Sequence, residues 1–354
     1  MLNIKKMTKA GALLLALSIT LTAHAAQPNV TILATGGTIA GSAESQTQAG
    51  YTSGQVGVEV LLSAVPQLNK LAQVTGEQVA NVGSQDMSDA IWLKLADRVN
   101  SLAKSSKVDG IVITHGTDTI EETGYFLNLV ADTKKPIVLT AAMRPSTALS
   151  ADGPLNIFNA VAVAADPSAA GRGVLIVAND DIHSARAITK THTTDVHTFQ
   201  SPERGLIGTT LYGVNNFFRP PYRAHTSGSH FSLKGVKELP RVDVLYMNAG
   251  FSPDLIDSAV ANGARGLVIA GVGNGNMTGA ALEAVERAIG KGLVVVRSSR
   301  VPGGSTGRNV EVNDDELGTI ASGELNPAKA RILLKLSLLD TQDAKKIQGY
   351  FEKY

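Results

Sequence analysis

No cysteine occurs among the 354 residues. Disulfide staples, cysteine nucleophiles and thiolate metal sites are therefore excluded. Neither sign of charge is in excess: 32 lysines and arginines stand against 31 aspartates and glutamates. A nucleic-acid-binding surface needs a basic balance that this chain lacks. Beyond the N-terminus, no apolar run approaches the roughly 20 residues that cross a bilayer. There is no tandem repeat and no low-complexity tract. The histidines lack the spacing of metal ligands; "HTTDVH", His192 to His197, has neither helical spacing nor a carboxylate cluster beside it. No metal and no cofactor is expected.

The N-terminus carries a different signal. Lys5, Lys6 and Lys9 precede an apolar run from Ala10 to Ala23, which is too short to span a membrane comfortably. Ala23-His24-Ala25 is a small-x-small cleavage site. Residues 1–25 thus read as a secretory signal, and an exported chain without cysteine is compatible with a bacterial periplasm, the location expected here. Its removal takes away three lysines and no acids, so 32 basic side chains become 29 against 31 acidic ones.

The chain as a whole has an ordinary globular composition, with 44% apolar residues. Strand-like runs at Val30–Ala34, Gly110–Thr114, Pro136–Ala141 and Gly173–Ala178 alternate with helical periodicity. Ser88 can cap a helix with an apolar face of Ile91, Leu95, Val99 and Leu102. Asp152-Gly153-Pro154 opens another, with proline in the first turn. This alternation predicts a parallel sheet with helices on both faces. Periodicity fades over residues 219–240, which read as a linker. A second α/β unit follows, with strands at Val242–Met247, Gly266–Ala270 and Gly292–Arg297, and a last helix opening at Asn326-Pro327. The expected architecture is two-domain α/β: a larger N-terminal parallel-sheet domain over residues 26–218 and a smaller C-terminal α/β domain over 241–354.

In such sheets ligands bind beyond the carboxyl ends of the strands. The first strand ends there in Thr35-Gly36-Gly37-Thr38. Either the glycines let backbone amides cradle a phosphate, or they clear space for the Thr38 hydroxyl to act on a substrate. Gly36, Gly37 and Gly41 do not fit the G-x-G-x-x-G spacing, and the polar segment Ser42 to Gln55 looks more like a lid than a helix. Another strand ends in Gly116-Thr117-Asp118, so two strands deliver a Gly-Thr pair to one sheet edge. Glu121 and Glu122 suit the first turn of the helix that follows, and His115 suits support of the turn. A threonine nucleophile needs a proton acceptor, and lysine or tyrosine must be considered as well as histidine. Gly303-Gly304-Ser305-Thr306-Gly307 matches G-x-S-x-G, but no helix and no histidine follow it, so it is not a nucleophile elbow.

Together, "ATGGTIAG", "GSQDM", "VITHGTDT", "AMRPSTALSADGP", "TKTHTTD", "AGVGNGN", "VVRSSRV" and "LNPAKAR" resemble the bacterial type II L-asparaginases, exported asparaginase/glutaminase amidohydrolases. The resemblance covers nearly the whole chain after the signal. It implies hydrolysis of L-asparagine to L-aspartate and ammonia, with secondary glutaminase activity. Thr38 then resembles the nucleophilic threonine and Tyr51 its hydroxyl partner. Ser84 and Gln85 fall where the family binds the substrate's α-carboxylate and α-amino groups. Thr117, Asp118 and Lys190 resemble the second hydrogen-bonded group. Asn276 and Glu311 resemble residues supplied by a neighbouring subunit, which implies a homotetramer with sites between paired subunits. The alternative reading is a periplasmic amino-acid-binding protein without catalysis, which would also be exported, poor in cysteine and two-domain.

Overall fold

The computed structural model describes residues 26–47 and 50–354. The expected signal, residues 1–25, lies outside them. The first sheet is built from β1 (Asn29–Gly36), β2 (Gln73–Val82), β3 (Gly110–Thr114), β4 (Ile137–Thr140), β5 (Val174–Ala178) and β6 (Asp181–Ser184). A two-stranded ribbon, β7 (Thr189–Lys190) and β8 (Phe199–Gln200), leads to β9 (Gly208–Leu211) and β10 (Val214–Phe217). The eight-stranded order is β10-β9-β6-β5-β4-β3-β1-β2. Strands β2, β1, β3, β4 and β5 run parallel, but β6, β9 and β10 join antiparallel. The N-terminal sheet is therefore mixed rather than purely parallel. A tight turn at Asn179-Asp180, both at positive φ, folds β6 straight back on β5 and leaves no room for a crossover helix.

Side chains of the parallel strands alternate between two cores, as the period of two requires. Leu33, Ile111, Ile113, Leu139 and Ile176 face one side; Ile32, Val112, Val138, Leu175 and Val177 face the other. On the second side lie α1 (Val58–Ser63) and α4 (Gly153–Ala165). On the first lie α2 (Asp89–Lys104) and α3 (Ile120–Val130). Ser88 caps α2 by accepting the Ile91 amide. The buried face is Trp92, Leu95, Val99 and Leu102; at its start Trp92 takes the place expected for Ile91, which is only half-buried.

The segment 219–240 is irregular apart from one short turn, yet it is packed. Phe231 meets the rings of Tyr350 and Tyr354, each at a centroid distance of 5.2 Å. A second sheet, fully parallel in the order β11-β12-β13-β14, follows: β11 (Val242–Tyr246), β12 (Gly266–Gly271), β13 (Val294–Ser299) and β14 (Ile320–Ala321). Its outer face is covered by α5 (Asp254–Ala261) and α6 (Gly279–Gly290). After the short α7 (Asp314–Leu317), α8 (Pro327–Ser337) lies between the two sheets. Asn326 caps α8 as expected, but α8 is not the last helix; α9 (Ala344–Lys353) follows and buries Ile347, Tyr350 and Phe351.

Candidate active site

The order 2-1-3-4-5 places β1 between β2 and β3, so the chain reverses direction of progress across the sheet at β1. Ligand crevices open at such switch points. Here three loops meet, following β1, β2 and β3. The Thr35 hydroxyl donates to the Thr114 carbonyl at 2.9 Å and ties the ends of β1 and β3 together. Gly36 and Gly37 then take φ values of +104° and +81°. A Cβ on Gly37 would stand 2.3 Å from the Gly116 nitrogen, and one on Gly116 would stand 2.6 Å from Ser84 Oγ. At Gly37 neighbouring backbone, and at Gly116 the Ser84 side chain, fills the space a side chain would need. The glycines therefore serve the close approach of the loops, and the turn they make presents Thr38 at the head of a single helical turn, Thr38–Ala40.

Thr38 is 5% exposed, and its Oγ1 lies 2.6 Å from the Tyr51 hydroxyl. Either oxygen can donate. The segment carrying Tyr51 is anchored at its base, because Ser42 and Thr52 exchange backbone hydrogen bonds of 3.1 and 3.0 Å. Ser146 and Thr147 brace it from α4's side through the Gly41 carbonyl and the Ala43 amide. The polar composition that suggested a lid thus also provides specific anchors, and Tyr51 already sits on Thr38.

A second hydroxyl lies on the neighbouring loop. Lys190 Nζ donates to Thr117 Oγ1 at 2.9 Å and to Asp118 Oδ1 at 2.7 Å. Thr117 is buried, Lys190 half-buried, and the Asp118 side chain 58% exposed. Lys190 comes from β7, whose pairing with β8 fixes its direction. Ser84 joins this group from the β2 loop: its Oγ accepts the Asp118 amide at 3.2 Å, and its carbonyl accepts the Thr119 hydroxyl at 2.7 Å. Gln85 beside it is exposed and donates to Asp86 at 3.1 Å.

His115 supports this loop from below. It is fully buried, and burial pulls its ring down to about 4, so it is neutral near pH 7. Trp92 Nε1 donates to Thr123 Oγ1 at 2.8 Å, and Thr123 lies 2.9 Å from His115 Nε2. The remaining ring nitrogen, Nδ1, is 2.8 Å from the Gly116 carbonyl. A carbonyl can only accept, so the proton is on Nδ1 and Nε2 accepts from Thr123. The support expected of His115 is thus a directed chain of donors ending on the residue before Thr117.

The C-terminal domain holds the remaining residues named above. Asn276 Nδ2 donates to Glu311 Oε2 at 2.9 Å. Among the described residues, no hydrogen bond joins this pair to the Thr38–Tyr51 or Thr117–Lys190 groups. Beneath the pair lies a buried ion pair that sequence reasoning missed. Arg297 and Asp314 side chains are 0% exposed and joined by two bonds of 2.6 Å. Arg297 also donates to the carbonyls of Gly275, at 3.2 Å, and Gly307, at 3.0 Å. Asp314 further accepts from Thr319 Oγ1 and the Asn309 amide. Burial pushes its carboxyl up, but the hydrogen bonds from Arg297, Thr319 and Asn309 outweigh burial and hold it below the ordinary value. An arginine directly after the apolar run Leu293–Val296, within a strand, was the available signal, since a buried charge needs a partner. Glu121 and Glu122 were also read incompletely. Besides opening α3, they meet Lys329 and Arg331 of α8 at 3.2 and 3.4 Å. Ser305 stands in no elbow: no helix begins between it and Asp314. Among the described residues, no group of three or more acids and histidines converges as a metal site.

This arrangement holds two buried threonine hydroxyls on touching loops, each with a different proton partner. That suits attack on a carbonyl carbon followed by managed proton transfer. Residues 29–223 match the family model described as asparaginase, N-terminal, and residues 241–351 match the glutaminase/asparaginase C-terminal domain. The chain is 48% identical to the probable periplasmic L-asparaginase of Haemophilus influenzae, covering 99% of this chain and 100% of that one. It is 51% identical to L-asparaginase 2 of Escherichia coli, covering 93% and 94%. Among solved structures, the probable cytoplasmic L-asparaginase of Campylobacter jejuni superposes with a TM-score of 0.90 at 44% identity, covering 93% of this chain and 100% of that one. With both family models matched in order and identity near one half over almost its full length, the chain belongs to the asparaginase family.

Proposed function

We propose that this protein is an L-asparaginase, hydrolysing L-asparagine to L-aspartate and ammonia, with L-glutamine as a secondary substrate. The observation that carries this reading is the pair of hydroxyls, Thr38 against Tyr51 and Thr117 against Lys190–Asp118, on loops in backbone contact. Thr38 Oγ1 attacks the side-chain carboxamide carbon as its proton passes to Tyr51. Collapse of the tetrahedral adduct breaks the C–N bond; Tyr51 relays the Thr38 proton to the leaving nitrogen, so ammonia departs and an ester is left on Thr38. Water then attacks the ester and gives up a proton to the Thr117–Lys190 group; Thr38 Oγ1 regains one as the ester C–O bond breaks, and aspartate departs. Ser84 receives the substrate's α-carboxylate, and Gln85 and Asp118 receive its ammonium group. No step needs a metal or cofactor. Among the relatives compared, none is named as a binding protein, so nothing there supports binding without turnover. A coupled assay for ammonia released from asparagine tests the reading. Tight binding of asparagine without ammonia would overturn it.

The same reading makes Asn276 and Glu311 the contribution of a second copy within a homotetramer. Their separation from the threonines within one chain supports this. Refolding a mixture of inactive Thr38→Ala and Glu311→Ala proteins should restore roughly a quarter of full activity. Half of the random pairs are mixed, and one of the two sites in each is then intact. Mixed oligomers that stay as inactive as their parents would remove Glu311 from the neighbour's site.

Export to the periplasm rests on the basic start, the short apolar run and Ala23-His24-Ala25. Mass spectrometry of periplasmic protein should find a chain beginning near Ala26 or Gln27. An intact Met1 peptide there would refute cleavage.

A further inference from the structure

The Lys190–Asp118 ion pair is by itself a weak tether. The Asp118 side chain is more than half exposed, and ion pairs so open to water contribute little. Yet Lys190 must meet two oxygens on a different loop. One side chain bridges the two segments concerned. The ammonium of Lys329, from the first turn of α8, donates to the Ile188 carbonyl, two residues before Lys190. It also pairs with Glu121 Oε2 at 3.2 Å, three residues after Asp118. The Lys329 and Glu121 side chains are 4% and 14% exposed, so water screens this contact little. Asn326 reinforces it, donating to Glu121 Oε2 at 3.2 Å while capping the Lys329 amide at 3.0 Å.

We propose that Lys329 is a positioning residue for the Lys190–Thr117–Asp118 group, setting from the C-terminal domain the separation between the strand that carries Lys190 and the helix that follows Asp118. This rests on reading that group as the proton-handling half of an asparaginase site. Every covalent path from a Lys329 contact to Lys190 or Asp118 is at most three residues long. A shift at the tether therefore reaches the reacting hydroxyl with little room for relaxation. A displacement of about 1 Å at such a site can cost on the order of 100-fold in rate.

Lys329→Met keeps the volume and removes the tether. It should lower kcat for asparagine about 10- to 100-fold, leave KM within about threefold, and move the pH profile of kcat. Because it also leaves the Glu121 carboxylate buried and unpaired, it is expected to lower the melting temperature. Lys329→Met combined with Glu121→Gln removes both charges. This double variant should recover the melting temperature but not kcat, whereas Glu121→Gln alone keeps the Ile188 tether and should stay within about threefold of wild type. A double variant with wild-type kcat and pH profile would make Lys329 merely structural and overturn the proposal. A crystal structure of the double variant reads the tether without turnover: Lys190 Nζ should leave Thr117 Oγ1, and an unchanged contact would again overturn it. Ammonia release by the wild-type protein separately tests the asparaginase reading, so the two failures are distinguishable.

Discussion

Thr38→Ala is expected to lower kcat by on the order of 10³ to 10⁶ while the protein stays folded. On the proposed mechanism this removes the nucleophile, and with it the covalent route, leaving only binding and electrostatic assistance. Thr38 sits in a turn whose backbone is held by Gly37, Gly41 and the Tyr51 segment, so losing its small side chain should cost stability only about 1–2 kcal/mol. Thr117→Ala should also be severe, about 10² to 10³, because loss of one positioned hydrogen-bonding group has that effect. The two lesions differ in kind. With Thr117 gone, Thr38 can still be acylated, so mass spectrometry after rapid quenching should find the aspartyl ester on the peptide containing Thr38. With Thr38 gone, no ester should form. A folded Thr117→Ala protein with near-normal kcat would show that the Thr117–Lys190 group does not handle the proton, and an ester found on Thr117 instead would reverse the two roles.

The second large effect is on stability. Arg297→Met leaves Asp314 fully buried without its charged partner and frees the carbonyls of Gly275 and Gly307. Breaking a buried pair from one side typically costs about 3–5 kcal/mol. Lysine should not rescue it, because a single ammonium cannot reproduce the planar fork that meets both Asp314 oxygens and two backbone carbonyls. Gly275 immediately precedes Asn276, and Asp314 lies shortly after Glu311, so activity should fall with stability. The pH dependence has a defined sign. Asp314 is held below its ordinary value, so its contribution is present above the unfolded carboxyl's value near 4 and is lost as pH falls through the lower folded value. Calorimetry from pH 7 downward should therefore show the wild-type advantage over Arg297→Met shrinking on the acid side. A melting temperature within 1–2 °C of wild type at pH 7 would contradict the assigned weight of this pair.

Much of this was legible in residue order, for local reasons. β1, β3, β4 and β5 carry largely apolar runs, interrupted in β1 by Thr31, as strands buried on both faces require. The Gly-Thr strand ends, Ser88 and Asn326 announce turns and caps within a few residues. β2 was missed because it is an edge strand with most of its residues half-exposed or exposed, and it has no continuous apolar run. β9 and β10 were missed for a similar reason, being short and polar on one face. The residues of the candidate site were named from motifs, each contiguous in the chain. The contacts that hold those motifs together were not visible, since Glu121 meets Lys329 and Lys190 meets Thr117 only after helices and sheets have docked.

The core beneath β3 does not stop at the boundary between the sheets. Ile111, Ile113 and Leu127 belong to the same apolar cluster as Val268, Val296 and Leu333, with α8 lying between the two halves. Neither half could be excised without baring a face of this cluster to water. The two sheets are thus not modules in the sense of parts that can be exchanged or expressed alone. Heating should melt them in one cooperative transition, and a chain cut within 219–240 should yield fragments that aggregate or recombine rather than two stable proteins.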